Sequence, residues 1–155
     1  MRIAVVLFLD EPTTGVDAVS RKEFWDMLQN LKKQGITILV STPYMDEAGL
    51  CDKVALIQKG NILSINTPKA ITQEFGKPLW AVRTDDMFRL LKTLQQSPEV
   101  ESCYPFGEYE HVVMKDISNG NETLQSILSD KQFNNIDIKS IEPNIEDCFM
   151  ALMNK

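Results

Sequence analysis

Seven consecutive apolar residues, IAVVLFL at positions 3–9, are followed at once by two carboxylates, Asp10 and Glu11. A run this rich in β-branched residues, with no polar alternation, suits a strand covered on both faces in a parallel sheet. The acid pair marks where that strand has to stop. Ionised carboxylates carried into a sheet interior would be prohibitively desolvated, so they must face water, a cation or a phosphate. Open α/β sheets present ligands at the carboxyl ends of their strands, which makes this strand end a candidate site. Taken alone, the dipeptide serves equally well to end a strand and solvate a turn.

The segment after the acids, PTTGVD, leads into a helical pattern from Ala18 to about Gln34. Phe24, Met27, Leu28 and Leu31 recur at helical spacing, Asp17 is placed to cap the amino end and Gly35 to stop the other. A second apolar strand, ITILVS, begins at Ile36. Strand, crossover helix and strand together favour a right-handed parallel unit. A short acidic helix is expected over 45–50, with Met45, Asp46 and Glu47 solvated. Two strands about a Lys59-Gly60-Asn61 turn and a helix over 68–75 come next, and Gly76, Lys77 and Pro78 mark a boundary.

The second half has another rhythm. LWAVRT reads as a strand, DDMFRLLKTLQQS as a helix, VESCYPF and HVVMKD as strands, ETLQSILSD as a helix and IDIKSIE as a strand. The succession βαββαβ is the ferredoxin-like, split βαβ layout, and NIEDCFMALM adds a final amphipathic helix. The charge also changes: residues 1–77 hold nine basic and nine acidic residues, residues 78–155 seven and thirteen. The acidic excess therefore belongs to the second unit and argues against nucleic-acid binding through it. Cys51, Cys103 and Cys148, unpaired in pattern, and the lone His111 fit reduced packing positions rather than a disulfide or metal framework. No stretch approaches the ~20 apolar residues that span a bilayer, so no direct membrane insertion is expected. The opening run is at the lower limit for the apolar core of a secretion signal and is followed by an acidic pair instead of a small-residue cleavage site, so a buried strand is expected there.

The eleven contiguous residues LFLDEPTTGVD resemble the Walker B strand and D-loop of ABC-transporter ATPases, and ITILVSTPYMDEAGLCDKVALIQKGNIL is similar to that family's switch strand and following hairpin. Residues 78–155, ending in EPNIEDCFMAL, look like the accessory domain of export-type ABC ATPases. The resemblance implies an α/β chain. Residues 1–77 would be the carboxyl-terminal part of a P-loop nucleotide-binding domain, and residues 78–155 a small α+β, ferredoxin-like regulatory domain. It implies that Asp10 holds Mg²⁺ through water and that Glu11 is the general base toward the attacking water. Thr14, Gly15, Val16 and Asp17 match the D-loop, which crosses a dimer interface in the family.

Two departures qualify those expectations. Pro43 stands where the family places a switch histidine, and proline offers neither an imidazole nor a backbone donor. No GxxxxGK[ST] phosphate loop and no LSGGQ-like signature occur in the sequence. The chain is therefore expected to be a truncated ATP-binding subunit that, alone, binds ATP and Mg²⁺ weakly and turns ATP over slowly or not at all. The family implies a membrane permease and a second nucleotide-binding domain as partners, and a cytoplasmic location at the inner face of the membrane. The alternative reading is a non-catalytic regulatory or binding module built on the βαββαβ domain.

Overall fold

A computed structural model describes residues 5–153. Contacts cluster into two units that meet at Ile71 and Thr72, a few residues before the expected 77/78 boundary.

In the first unit β1 (Val6–Asp10) and β2 (Thr37–Ser41) pair in parallel, Val6 opposite Thr37 and Asp10 opposite Ser41. They are joined by α1 (Ala18–Lys33). Asp17 caps α1, its carboxylate accepting from the amides of Val19 and Ser20 at 3.0 and 3.1 Å. At the other end Gly35, with φ 88°, takes the left-handed conformation that closes a helix. α2 (Met45–Ala48) is one turn long. β3 (Val54–Gln58) and β4 (Asn61–Asn66) form an antiparallel hairpin whose turn residues, Lys59 and Gly60, both have positive φ, the twist that suits a two-residue connection.

Two expectations for this unit are corrected. β1 is not covered on both faces: alternate residues point outward, Val6 at 47% exposure, Phe8 at 70% and, on β2, Leu39 at 61%. These two strands pair only with each other among the described residues, so each keeps an unpaired edge, and the face that carries Val6, Phe8 and Leu39 is open as well. The buried stripe of α1 follows the apolar pattern at Leu28, with Phe24 and Leu31 half-buried, but departs from it at two positions. Trp25 and Leu28 are buried whereas Met27 is exposed, because the helix is tied to the segment after β2. Gln29 donates to the carbonyl of Leu50 at 3.0 Å, Lys32 pairs with Asp52 at 2.6 Å, and Arg21 reaches α2.

α3 (Pro68–Gln73) leads into the second unit, which follows its expected order: β5 (Leu79–Arg83), α4 (Met87–Gln96), β6 (Val100–Phe106), β7 (Tyr109–Met114), α5 (Gly120–Asp130), β8 (Asp137–Ile141) and α6 (Ile145–Met153). The sheet runs β6-β7-β5-β8 with every pairing antiparallel. Leu90 and Leu94 of α4 and Leu124 and Leu128 of α5 are fully buried in one cluster with Val82 and Val112 of the sheet. On α6, Asn144 and Asp147 exchange amide-to-side-chain hydrogen bonds at 2.9 Å, a reciprocal cap, and Asp147 also lies 2.7 Å from Nδ1 of His111. His111 is thus a packing and pairing residue, stacked on Phe106 with ring centroids 4.3 Å apart. No helix among the described residues is long and apolar enough to cross a membrane.

Candidate active site

The parallel pairing of β1 with β2 brings both strand ends, and the loops that leave them, to one place. Asp10 is the last residue of β1 and sits opposite Ser41, whose hydroxyl donates to Asp10 Oδ1. The amide of Glu11 donates to both the carbonyl and the hydroxyl oxygen of Ser41, at 3.1 and 3.0 Å. Glu11 itself has φ 45°, a left-handed conformation that disfavours a side chain by roughly 1–2 kcal/mol. It turns the chain out of the sheet. Thr14 then closes the turn, its amide on the Glu11 carbonyl at 3.1 Å and its hydroxyl on Glu11 Oε2 at 3.3 Å. Both acids are exposed, and among the described residues no basic side chain forms an ion pair with either.

Gly15, with φ 77°, continues the turn toward Asp17 and the start of α1. Pro43 is exposed, two residues beyond Ser41 in the loop after β2. The structure therefore gathers Asp10, Glu11 and Thr14 at the strand ends, with Gly15 and Asp17 leading away along one loop and Pro43 along the other.

Beneath the two loops lies a residue that local reading misplaces. Glu47, expected to be solvated, is 2% exposed. Its Oε2 accepts from the hydroxyls of Thr13 (3.0 Å) and Thr42 (2.6 Å), and its Oε1 from Nε of Arg21 (3.0 Å). Arg21 is held in turn by Asp46 at 3.1 Å and by the ring of Tyr44, 4.2 Å from its guanidinium carbon. Burial alone pushes the Glu47 carboxyl up. The hydroxyls of Thr42 and Thr13 and the Arg21 guanidinium, all hydrogen-bonded to it, favour the anion, and the carboxyl lies below the ordinary glutamate range. Ser41, Thr13, Thr42, Arg21 and Glu47 all escape sequence reasoning. The only local hint is a T-P-Y turn one residue ahead of an acidic pair.

No family model matches the chain. Among curated proteins it is 33% identical over 150 residues to the probable multidrug ABC transporter ATP-binding protein YbhF of Escherichia coli (strain K12), a match covering 96% of this chain and 25% of that protein. It is 34% identical over 149 residues to the Nod factor export ATP-binding protein I of Ralstonia nicotianae, covering 95% of this chain and 46% of the relative. The daunorubicin/doxorubicin resistance ATP-binding protein DrrA of Streptomyces peucetius is 39% identical over 82 residues, 52% of this chain and 25% of its own length. This chain is a homologue of ABC transporter ATP-binding proteins. It spans between about a quarter and just under half the length of these relatives.

The donors that this ABC homologue offers at its strand ends are hard oxygens: two carboxylates and the hydroxyls of Ser41 and Thr14. Among the described residues no group of three or more His, Cys, Asp or Glu is placed to enclose a metal. That donor set fits an ion that retains most of its waters and takes its remaining ligands from phosphate, as Mg²⁺ does, and does not fit an all-protein cage.

Proposed function

We propose that this chain supplies the metal- and water-handling side of an ATP site in an export-type ABC transporter ATPase, residues 1–77 being part of the nucleotide-binding domain and residues 78–155 a ferredoxin-like accessory domain. The observation that carries the reading is the placement of Asp10 and Glu11: exposed, adjacent, at the carboxyl end of a parallel strand, and oriented by Ser41 and Thr14. All three relatives are named as ATP-binding proteins, one of them for export, one for multidrug transport and one for drug resistance. The order of the second unit's sheet supports the ferredoxin-like assignment.

Magnesium, when bound with ATP, would neutralise charge on the phosphate oxygens. Asp10 would hold it through water, its second oxygen fixed by Ser41. Glu11 would orient the attacking water and take its proton as the water oxygen bonds to the terminal phosphorus and the bond to the bridging oxygen breaks. Thr14 and Gly15 shape the loop that would meet a second nucleotide-binding domain, and Asp17 secures that loop to α1. Pro43 brings no imidazole to the terminal phosphate, so hydrolysis is slowed. The partners are a membrane permease and a second nucleotide-binding domain, at the cytoplasmic face of the membrane.

Calorimetry tests this reading. The chain alone is expected to show no micromolar affinity for Mg-ATP. Mixed with a separately produced ABC amino-terminal half that carries a phosphate loop, it is expected to gain such affinity and to lose at least tenfold of it on Asp10→Asn. Equal binding by the unaltered chain and by Asp10→Asn would refute the assignment.

A further inference from the structure

We propose that Glu47 is a positioning residue for the acid pair: its buried carboxylate clamps the loop after β1 to the loop after β2 and thereby fixes Asp10 and Glu11 for their ligand. The proposal rests on the reading of those two acids given above.

The argument is one of closure. The two loops are linked at the level of Ser41, which bonds Asp10 and the amide of Glu11. They are linked again at Glu47 Oε2, which receives Thr13 from one loop and Thr42 from the other. Between these two links only Pro12 intervenes on the first side, with its φ fixed by its ring, and on the second Ser41 and Thr42 are adjacent. The result is a small closed ring that passes from Glu11 through Pro12 and Thr13 to Glu47, and back through Thr42 and Ser41 to Glu11. Glu11, with its left-handed backbone, is the one member of that ring whose conformation is unfavourable by itself. A conformation of that kind persists where its surroundings over-determine it.

The chemistry of Glu47 suits the task better than any neutral side chain would. An ionised carboxylate only accepts hydrogen bonds, so one oxygen can take two hydroxyls while the other takes a guanidinium. An amide in its place would present a donor either to the threonines or to Arg21. Thr42 also accepts from the amide of Tyr44 at 3.1 Å, so the clamp orders the turn that contains Pro43. A helix of one turn has little stability of its own. Arg21, Asp46 and Tyr44 hold α2, and with it Glu47, against α1.

The test uses the whole chain, with Mn²⁺ as a paramagnetic stand-in for Mg²⁺ and amide signals read by NMR. In the unaltered chain Mn²⁺ is expected to broaden the amides of Asp10 and Glu11, and Asp10→Asn to abolish that effect. In Glu47→Gln the broadening at these two residues is expected to fall at least fivefold, and the Glu11 amide to exchange with solvent at least tenfold faster, a larger increase than in the middle of α1. The pair Thr13→Val and Thr42→Val, which leaves Glu47 in place, is expected to reproduce both effects and stands in if Glu47→Gln does not fold. Glu11 exchange and broadening unchanged in a folded variant would overturn the positioning role alone. No broadening at residues 10 and 11 in the unaltered chain would instead overturn the metal reading on which the role rests.

Discussion

Replacing Arg21 by methionine keeps an apolar stem beside Tyr44 and removes the cation paired with Glu47. Truncating one partner of a buried ion pair destabilises by about 3–5 kcal/mol. Here the Arg21 side chain is 22% exposed while Glu47 is 2% exposed, so water already screens part of the interaction. Thr13 and Thr42 also remain bonded to the carboxylate. The expected loss at pH 7 is therefore about 2–3 kcal/mol, within the range for a hydrogen bond to a charged group. Urea unfolding followed by Trp25 fluorescence, in a Trp80→Phe background, should show it as a midpoint lower by roughly 2 M for a unit of this size. The pH dependence is a sharper check. In the unaltered chain the Glu47 carboxyl lies below its ordinary range, so its contribution is fully present above the unfolded pKa of about 4.3 and is lost as pH falls through the lower folded value. Removing Arg21 withdraws one of the groups that favour the anion, so the folded carboxyl moves upward from its lowered position. Protonated Glu47 needs no cation, so the deficit should narrow as the pH is lowered toward 4. Adding Glu47→Gln to Arg21→Met should recover at least half of the loss at pH 7. A deficit below about 0.5 kcal/mol, the range of an ordinary surface change, or one equal at both pH values, would refute the view that Glu47 is held as an anion by Arg21.

Three further outcomes are expected in the second unit. In Gly120→Ala the new Cβ would stand 2.9 Å from Trp80 Nε1 and 3.4 Å from Met114 Cγ, and such overpacking should destabilise by about 1–3 kcal/mol, read by urea unfolding with Trp80 fluorescence; a neutral result would show that α5 shifts freely on the sheet. Asp147→Ala removes both the reciprocal cap of α6 and the partner of His111, and the same assay should register a loss of about 2 kcal/mol, whereas no loss would mean that α6 is held by its apolar contacts alone. Burial pushes the Cys103 thiol up to about 12 and that of Cys148 to about 11, so a disulfide reagent at pH 8 should label half-buried Cys51 first and reach Cys103 only as the unit opens; equal rates for Cys51 and Cys103 would contradict that order.

What the sequence discloses about this molecule is what neighbouring residues decide among themselves. The Asp17 cap and the Lys59-Gly60 turn depend on spacings of a few residues, and each is found where the pattern places it. The acid pair was legible for the same reason, since LFLDEPTTGVD is contiguous. Glu47 was not. Its partners Arg21 and Thr13 lie 26 and 34 residues away along the chain, and whether a carboxylate is solvated or buried depends on which counter-groups the fold delivers to it. The same contact bears on the one member of the Phe24, Met27, Leu28 and Leu31 stripe that is not covered: Leu28 is buried and Phe24 and Leu31 are half-buried, whereas Met27 is exposed. Arg21, Gln29 and Lys32 share a face with Trp25 and Leu28, and each makes a polar link to the segment between Asp46 and Asp52. With α1 held by those links, Met27 lies in solvent. Apolar periodicity finds the stripe that water disfavours most, but a helix that also carries a buried charge pair settles where the pair is satisfied, because an unpaired buried carboxylate costs more than one exposed methionine. On this reasoning, the segment that orders the candidate site is the part of the first unit whose position was least visible in its own residues.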